Sequence, residues 1–235
     1  MSHPTTLITG ANRGIGRALA AQLADRGHTV VLCARDLDAA RTAAEELHTE
    51  APARNVVPLR LDVTDPVGIE RAVEVVGESF GRLDKLVNNA GGHFDSWQDA
   101  TSADPATAAE AFDGNVLGTW RVIQAMLPLL KTSPSPTIVN VSSEKACFAT
   151  MDGSTPAYRL SKVALNALTV MLANELAQVG ISVYGASPGW TATELGGPEG
   201  RPVADGAASI RWVLEQQADQ LHPGHVYQDG RELPW

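Results

Sequence analysis

The chain of 235 residues contains only two cysteines, Cys33 and Cys147, too few for a disulfide framework or a cysteine-based metal cluster. Positive charge is also scarce. Lys and Arg total 18 against 27 Asp and Glu, a formal charge of -9, and no basic run occurs. That balance argues against nucleic acid and anionic membrane as partners. No apolar stretch approaches the length of a membrane span, and MSHPTTLITG lacks the basic start and apolar core of a signal peptide. A cytoplasmic protein without a metal centre is the expectation. Internal repeats and low-complexity tracts are absent, and with 44% hydrophobic and 19% charged residues long disorder is not expected. The length suits one α/β domain, residues 1–235, with a sizeable core, and is short for two.

What is present is an alternation of apolar, β-rich runs with helical patterns. Strands are expected at 6–9 (TLIT), 29–34 (TVVLCA), 56–61 (VVPLRL), 85–89 (KLVNN), 137–142 (TIVNVS), 181–186 (ISVYGA) and 225–228 (HVYQ). Helical spacing runs through Ile15, Ala18, Leu19 and Leu23, and again over 37–49, 66–80, 105–131, 157–179 and 203–219. Strands almost wholly apolar and separated by helices imply a parallel sheet covered on both faces. The expected fold is a single doubly wound Rossmann-type domain with a seven-stranded parallel sheet. Proline and glycine cluster in 188–206, which reads as a functional loop. The 110–130 and 157–179 helices are apolar nearly all round, so each is buried on more than one side. A second subunit would cover the extra side, giving a homodimer or homotetramer; neighbouring helices of the same chain are the alternative.

The first strand runs into TGANRGIGRALA, with Gly10, Gly14 and Gly16 between strand and helix. Glycines there allow a tight turn and close backbone approach, and a helix N-terminus offers free N–H groups to a pyrophosphate. A purely structural turn can use three glycines too, so position carries the signal. At the end of the second strand stand Arg35 and Asp36. Arg35 with Arg13 could clamp a 2′-phosphate, as in NADP. Asp36 could instead hold the ribose of NAD.

Tyr158 precedes Lys162 by four residues, so the two side chains share one helix face. A free phenol titrates near 10 and is inert at neutral pH. A lysine cation about 4 Å away, at an effective dielectric near 20, interacts by roughly 4 kcal/mol. That would bring the tyrosine close to operating pH, where it becomes a usable acid or base. An ordinary surface pair opening a helix is the bland reading of the same spacing.

TGANRGIG, LDVTD at 61–65, NNAG at 88–91, Asn115 within a long helix, VSS at 141–143, YRLSK at 158–162 and PG at 188–189 follow one another along nearly the whole chain. In this order they resemble the compact, single-domain branch of the short-chain dehydrogenase/reductase superfamily. The C-terminal stretch from PGWTATELGGP is most similar to bacterial carbonyl-reductase-type members. The resemblance implies a catalytic tetrad of Asn115, Ser143, Tyr158 and Lys162. In it Ser143 bonds the carbonyl oxygen, Tyr158 moves the proton, Lys162 tunes Tyr158 and binds the nicotinamide ribose, and Asn115 holds a relay water. Ser143 is chosen over Ser142 because it aligns with the last strand residue of the family it resembles; Ser142 points the other way if strand alternation persists. For the cofactor it implies Gly10, Asn12, Arg13, Gly14, Ile15 and Gly16 at the phosphates, with Arg35 beyond them. Asp62 and Val63 would lie at the adenine. Asn88 or Asn89, with Ala90 and Gly91, would lie along the adenosine, and Pro188, Gly189, Thr191 and Thr193 around the nicotinamide.

His93, Phe94, Trp97, Glu144, Cys147, Met151, Trp190 and Leu195 fall in loops that would border a substrate. His93 is a second proton carrier or a wall residue, and Cys147 has no basic partner fixed by sequence. The leading expectation is an oxidoreductase moving a hydride between NADP(H) and a small carbonyl or alcohol, as a reductase of ketones, aldehydes or quinones. The alternatives are an NAD-dependent alcohol dehydrogenase and a non-catalytic nicotinamide-binding protein on the same fold.

Overall fold

The computed structural model describes residues 3–217 and 220–235. The elements alternate as expected: β1 (Thr5–Ile8), α1 (Gly14–Ala24), β2 (Thr29–Ala34), α2 (Leu37–Glu50), β3 (Asn55–Arg60), α3 (Pro66–Phe80) and β4 (Lys85–Asn88). There follow α4 (Pro105–Phe112), α5 (Thr119–Leu130), β5 (Thr137–Val141), α6 (Pro156–Leu176), β6 (Ser182–Ala186), α7 (Val203–Glu215), β7 (Val226–Gln228) and β8 (Arg231–Leu233). Local chemistry sets several starts. Asp36, Asp65 and Asp104 each accept a hydrogen bond from a first-turn N–H of α2, α3 and α4, and Pro66 and Pro105 open two of those helices.

The strands form one sheet in the order β3-β2-β1-β4-β5-β6-β7-β8. Period-two alternation sends successive strand residues to opposite faces. Leu7, Val31, Leu86, Ile138 and Val183 enter the cluster under α3, α5 and α6. Ile8, Val30, Leu32, Val87, Val139 and Tyr184 enter the one under α1, α2 and α7. Both faces are therefore apolar, which is why the strands read as nearly continuous apolar runs. The chain reverses direction across the sheet between β1 and β4. Ligands of open parallel sheets bind in the crevice outside the strand ends at such a reversal.

Three expectations change. The sheet has eight strands, because β8 pairs antiparallel with β7, Tyr227 opposite Glu232. Asp229 and Gly230 connect them with φ of 51° and 78°, the primed hairpin turn that an Asp-Gly pair favours. Arg-Glu-Leu is too short and polar to register as a strand by periodicity. The helix expected over 105–131 is divided by a π-helical stretch, Asp113–Gly118. There Gly118 passes so close to Val63 that an added Cβ would lie 2.7 Å from its Cγ2. The helix expected over 203–219 ends at Glu215, and residues 218–219 of that expectation lie outside the described residues. Among the described residues no helix is long and apolar enough to cross a membrane.

Candidate active site

At the reversal the structure opens a cleft of about 1090 Å³. Its walls hold Gly10, Asn12, Arg13, Gly14, Ile15 and Gly16 from the glycine turn, Arg35 from the end of β2, and Asp62 and Val63 after β3. Asn89, Ala90 and Gly91 follow β4, and Asn115 and Thr193 also line it, whereas the expected Tyr158 and Lys162 are not among its walls. The turn itself needs glycine. Gly10 has φ of 61°, and a Cβ there would stand 2.9 Å from Ala90 Cα. Thr9, which sequence reasoning passed over, knits this region: its hydroxyl accepts the N–H groups of Asn89 (3.0 Å) and Ala90 (2.9 Å). Asn89 returns its amide to the carbonyls of Thr9 and Gly10. Asn88, by contrast, turns inward and donates to Asn140 Oδ1 at 2.9 Å, so of the two asparagines only Asn89 faces the cleft.

The first turn of α1 has no side-chain cap, because its N-cap residue Arg13 carries only donors. Arg13 instead pairs with Glu194, so the loop after β6 reaches across to the glycine turn. Arg35 is exposed on the cleft wall and has no ion-pair or hydrogen-bond partner among the described residues. Asp36 beside it spends one carboxylate oxygen on capping α2, accepting from Asp38 N at 2.9 Å. Of the 188–206 loop, Thr193, Glu194 and Leu195 line the cleft. Pro188, Gly189 and Thr191 stand outside its walls. The Thr191 hydroxyl bonds back to the carbonyls of Pro188 and Gly189, and Arg201 fastens the loop by donating to the Pro188 carbonyl while paired with Asp229.

Behind the inner end of the cleft the four expected polar residues gather. A Cβ on Gly91 would lie 3.1 Å from Asn115 Oδ1 and 3.5 Å from Lys162 Nζ, so these two groups stand directly behind that glycine. Asn115 sits in the π-helical stretch, a local widening frequent at functional sites. Its amide is held at both ends, donating to Ser161 Oγ and the Gly92 carbonyl and accepting from Gly92 N. The Ser143 hydroxyl stands close enough to the Tyr158 phenol to favour its ionised form, and it also accepts from Lys145 N at 3.2 Å. Ser142 faces the opposite way and donates to Asn166 Oδ1 at 2.5 Å.

Burial, not the lysine charge, dominates the titration of this pair. Desolvation raises the Tyr158 phenol above its ordinary value, the Ser143 hydroxyl opposes this, and the Glu144 carboxylate adds to the rise. Lys162, 5% exposed, is pulled down by burial to about 8. Its ammonium donates to the Val141 carbonyl at 2.8 Å and lies 5.7 Å from the centre of the tyrosine ring. The expected lowering of the phenol by a permanent cation is therefore not met. Sequence spacing gives the shared helix face, but not the cost of removing the ammonium from water.

Tyr158 is positioned by a residue that sequence reasoning missed. Asp95, fully buried, accepts from Ala157 N (2.9 Å) and Tyr158 N (3.1 Å) and so caps α6 from a distance of 62 and 63 residues in sequence. The helix's own N-cap residue, Thr155, has φ of 50° and gives no side-chain cap. An isolated Asp two residues after His93 carries no local signal of this. Phe94 packs edge-on against the Tyr158 ring at 5.2 Å. His93 lies on the cleft wall, 3.7 Å from Glu110, with φ of 62°. Arg159, also buried, donates to the Ser154 and Lys145 carbonyls and pairs with Asp152, fixing the segment that carries Ser143's successors.

Comparison with known proteins matches residues 4–202 to the family model of the short chain dehydrogenases. Short chain dehydrogenase citE of Monascus ruber is 38% identical over 192 residues, which cover 80% of this chain and 65% of that one. The chain thus spans slightly less than two thirds of that relative. Short-chain dehydrogenase anuI of Penicillium roqueforti is 34% identical over 224 residues, 89% of this chain and 88% of that one. Among solved structures, the NADPH-bound carbonyl reductase from chicken fatty liver superposes with a TM-score of 0.89 at 28% identity, covering both chains fully.

Proposed function

Because the chain belongs to the short-chain dehydrogenase family, a family of oxidoreductases using nicotinamide cofactors, we propose that it is an NADPH-dependent reductase of ketones, aldehydes or quinone-like carbonyls. The observation that carries this reading is the meeting of Ser143, Tyr158, Lys162 and Asn115 behind Gly91, a wall residue of a cleft that also holds Arg35, without a partner among the described residues. The donor set suits a phosphorylated dinucleotide. The uncapped N-terminus of α1 favours a pyrophosphate, and Arg35 supplies a cation where an adenosine 2′-phosphate would lie. The NADPH held by the chicken-liver structure supports the same choice.

When bound, the cofactor supplies the hydride. Ser143 donates a hydrogen bond to the carbonyl oxygen and stabilises the charge that develops there. Tyr158 passes its phenolic proton to that oxygen, and a phenol kept protonated by burial suits an acid in the reductive direction. Lys162, titrating at about 8, holds the cofactor ribose and stabilises the phenolate left by that transfer. Asn115 fixes the Gly92 backbone beside these groups. Leu117, Trp120, Leu160 and Met171 remain exposed on the two long helical regions and support a homo-oligomer.

Tyr158→Phe removes the acid and should lower NADPH oxidation on an accepted carbonyl by on the order of 10² or more. Cofactor affinity should be retained. Full turnover in that variant would refute the assignment. Fluorescence titration that finds NADH bound more tightly than NADPH would overturn the cofactor choice.

A further inference from the structure

At the far edge of the sheet from the cofactor cleft, the sequence HPGHVYQDGRE brings together two imidazoles and a carboxylate. One ligand atom from each of His222, His225 and Glu232 lies within 4.8 Å of the others. The spacing comes from two turns. His222-Pro223-Gly224-His225 closes with His225 N donating to the His222 carbonyl at 3.2 Å, and Gly224 takes φ of 87°. Proline then glycine at the two central positions is the pattern of a type II turn, which sets its first and last residues side by side. The Asp229–Gly230 hairpin then returns Glu232 opposite Tyr227, within reach of both rings.

The backbone under these side chains is clamped. The buried Tyr227 phenol accepts from His222 N at 2.8 Å and donates to the His222 carbonyl at 3.4 Å. Gly224 N donates to the Val183 carbonyl of β6, and a Cβ on Gly224 would press on Val170 Cα of α6 at 3.3 Å. Glu232 faces His225 Nδ1 at 2.6 Å and His222 Nδ1 at 3.6 Å, one carboxylate oxygen to each ring. On a tetrahedral ion with bonds of about 2.0–2.2 Å, neighbouring ligand atoms lie about 3.3–3.6 Å apart; the His222–Glu232 separation of 3.6 Å matches, and the 2.6 Å hydrogen bond between His225 and Glu232 has to open to admit the ion.

We propose that His222, His225 and Glu232 form a binding site for a divalent cation of the zinc class, with water in the fourth position. The N₂O donor set selects a borderline ion; magnesium and calcium, which prefer all-oxygen shells, are poorly served. The bound ion staples β8, the edge strand of three residues, to the turn that precedes β7. The site is separate from the cofactor cleft, whose walls include none of the three residues.

The test uses chelator-treated protein titrated with Zn(II) against a chromophoric chelator, with Mg(II) in parallel. Wild-type protein should take up one Zn(II) per chain and melt at a higher temperature with Zn(II), but not with Mg(II). The double variant His222→Ala/His225→Ala and the single variant Glu232→Gln should bind at least about tenfold more weakly and lose the melting shift. His48→Ala, an exposed histidine on α2, should behave as wild type. Circular dichroism and NADPH titration check that the variants are folded. The proposal is overturned if wild-type protein takes up no stoichiometric Zn(II). It is equally overturned if uptake survives in the folded double variant, which would place the ion elsewhere.

Discussion

Lys162→Met should abolish turnover yet stabilise the protein at neutral pH. The ammonium is buried, and desolvation lowers its pKa from the ordinary 10.5 to about 8. That difference corresponds to about 3 kcal/mol of folding stability lost to keeping the charge inside. Methionine removes this penalty but leaves the Val141 carbonyl without its donor, at a cost of about 1–2 kcal/mol. The variant should therefore gain on the order of 1–2 kcal/mol at pH 7, or roughly 3–6 °C in melting temperature for a domain of this size. The pH dependence is the sharper signature. Between about 8 and 10.5 the unfolded chain holds a proton that the folded chain has released. Wild-type stability should therefore rise with pH across that window, while the variant has no such slope. Urea unfolding without cofactor should show the difference between variant and wild type shift toward wild type by about 2 kcal/mol from pH 7 to 9.5. A difference independent of pH would refute the assignment of the penalty to this ammonium.

Other perturbations test other parts of the structure. Arg35→Ser should weaken NADPH binding by about ten- to a hundredfold and leave NADH binding unchanged, because one charge-assisted contact is worth about 1.5–3 kcal/mol; equal losses for both cofactors in fluorescence titration would contradict it. Asp95→Leu strands the N–H groups of Ala157 and Tyr158 and should destabilise by about 2–4 kcal/mol, with Asp95→Asn milder. Urea midpoints check this, and a leucine variant as stable as wild type would count against the cap. His28, buried against Thr6 and pushed down to about 4, stays neutral in the fold while the unfolded imidazole protonates near 6.5. Stability should fall by up to about 3 kcal/mol as pH drops through that interval. His28→Leu should flatten the decline; an unchanged acid limb would exclude this histidine as its source.

The glycine turn, the alternating strands and the Tyr158–Lys162 spacing were legible in the sequence because each follows from a short local rule. Gly10 needs its positive φ, Leu7 and Ile8 face opposite ways by period two, and residues four apart share a helix face. β8 left a fainter mark, the Asp-Gly pair at 229–230, in a strand too short for periodicity to reveal. The π-helical stretch around Asn115 left none, since it lies within a run whose helical spacing is continuous, and the close approach of Gly118 to Val63 within it joins segments distant in sequence.

What the sequence alone determined is therefore the order of elements, the layering and the roster of polar residues at one end of the sheet. Tertiary structure decided their chemical state. It set how far Lys162 is stripped of water, gave Tyr158's helix a cap from Asp95, turned Asn89 rather than Asn88 to the cleft, and paired Arg13 with Glu194 while leaving Arg35 without a partner among the described residues. The physical reason is range. Backbone periodicity and turn preference act over a few residues, whereas desolvation and long-range hydrogen bonds depend on which distant segments the packing brings together.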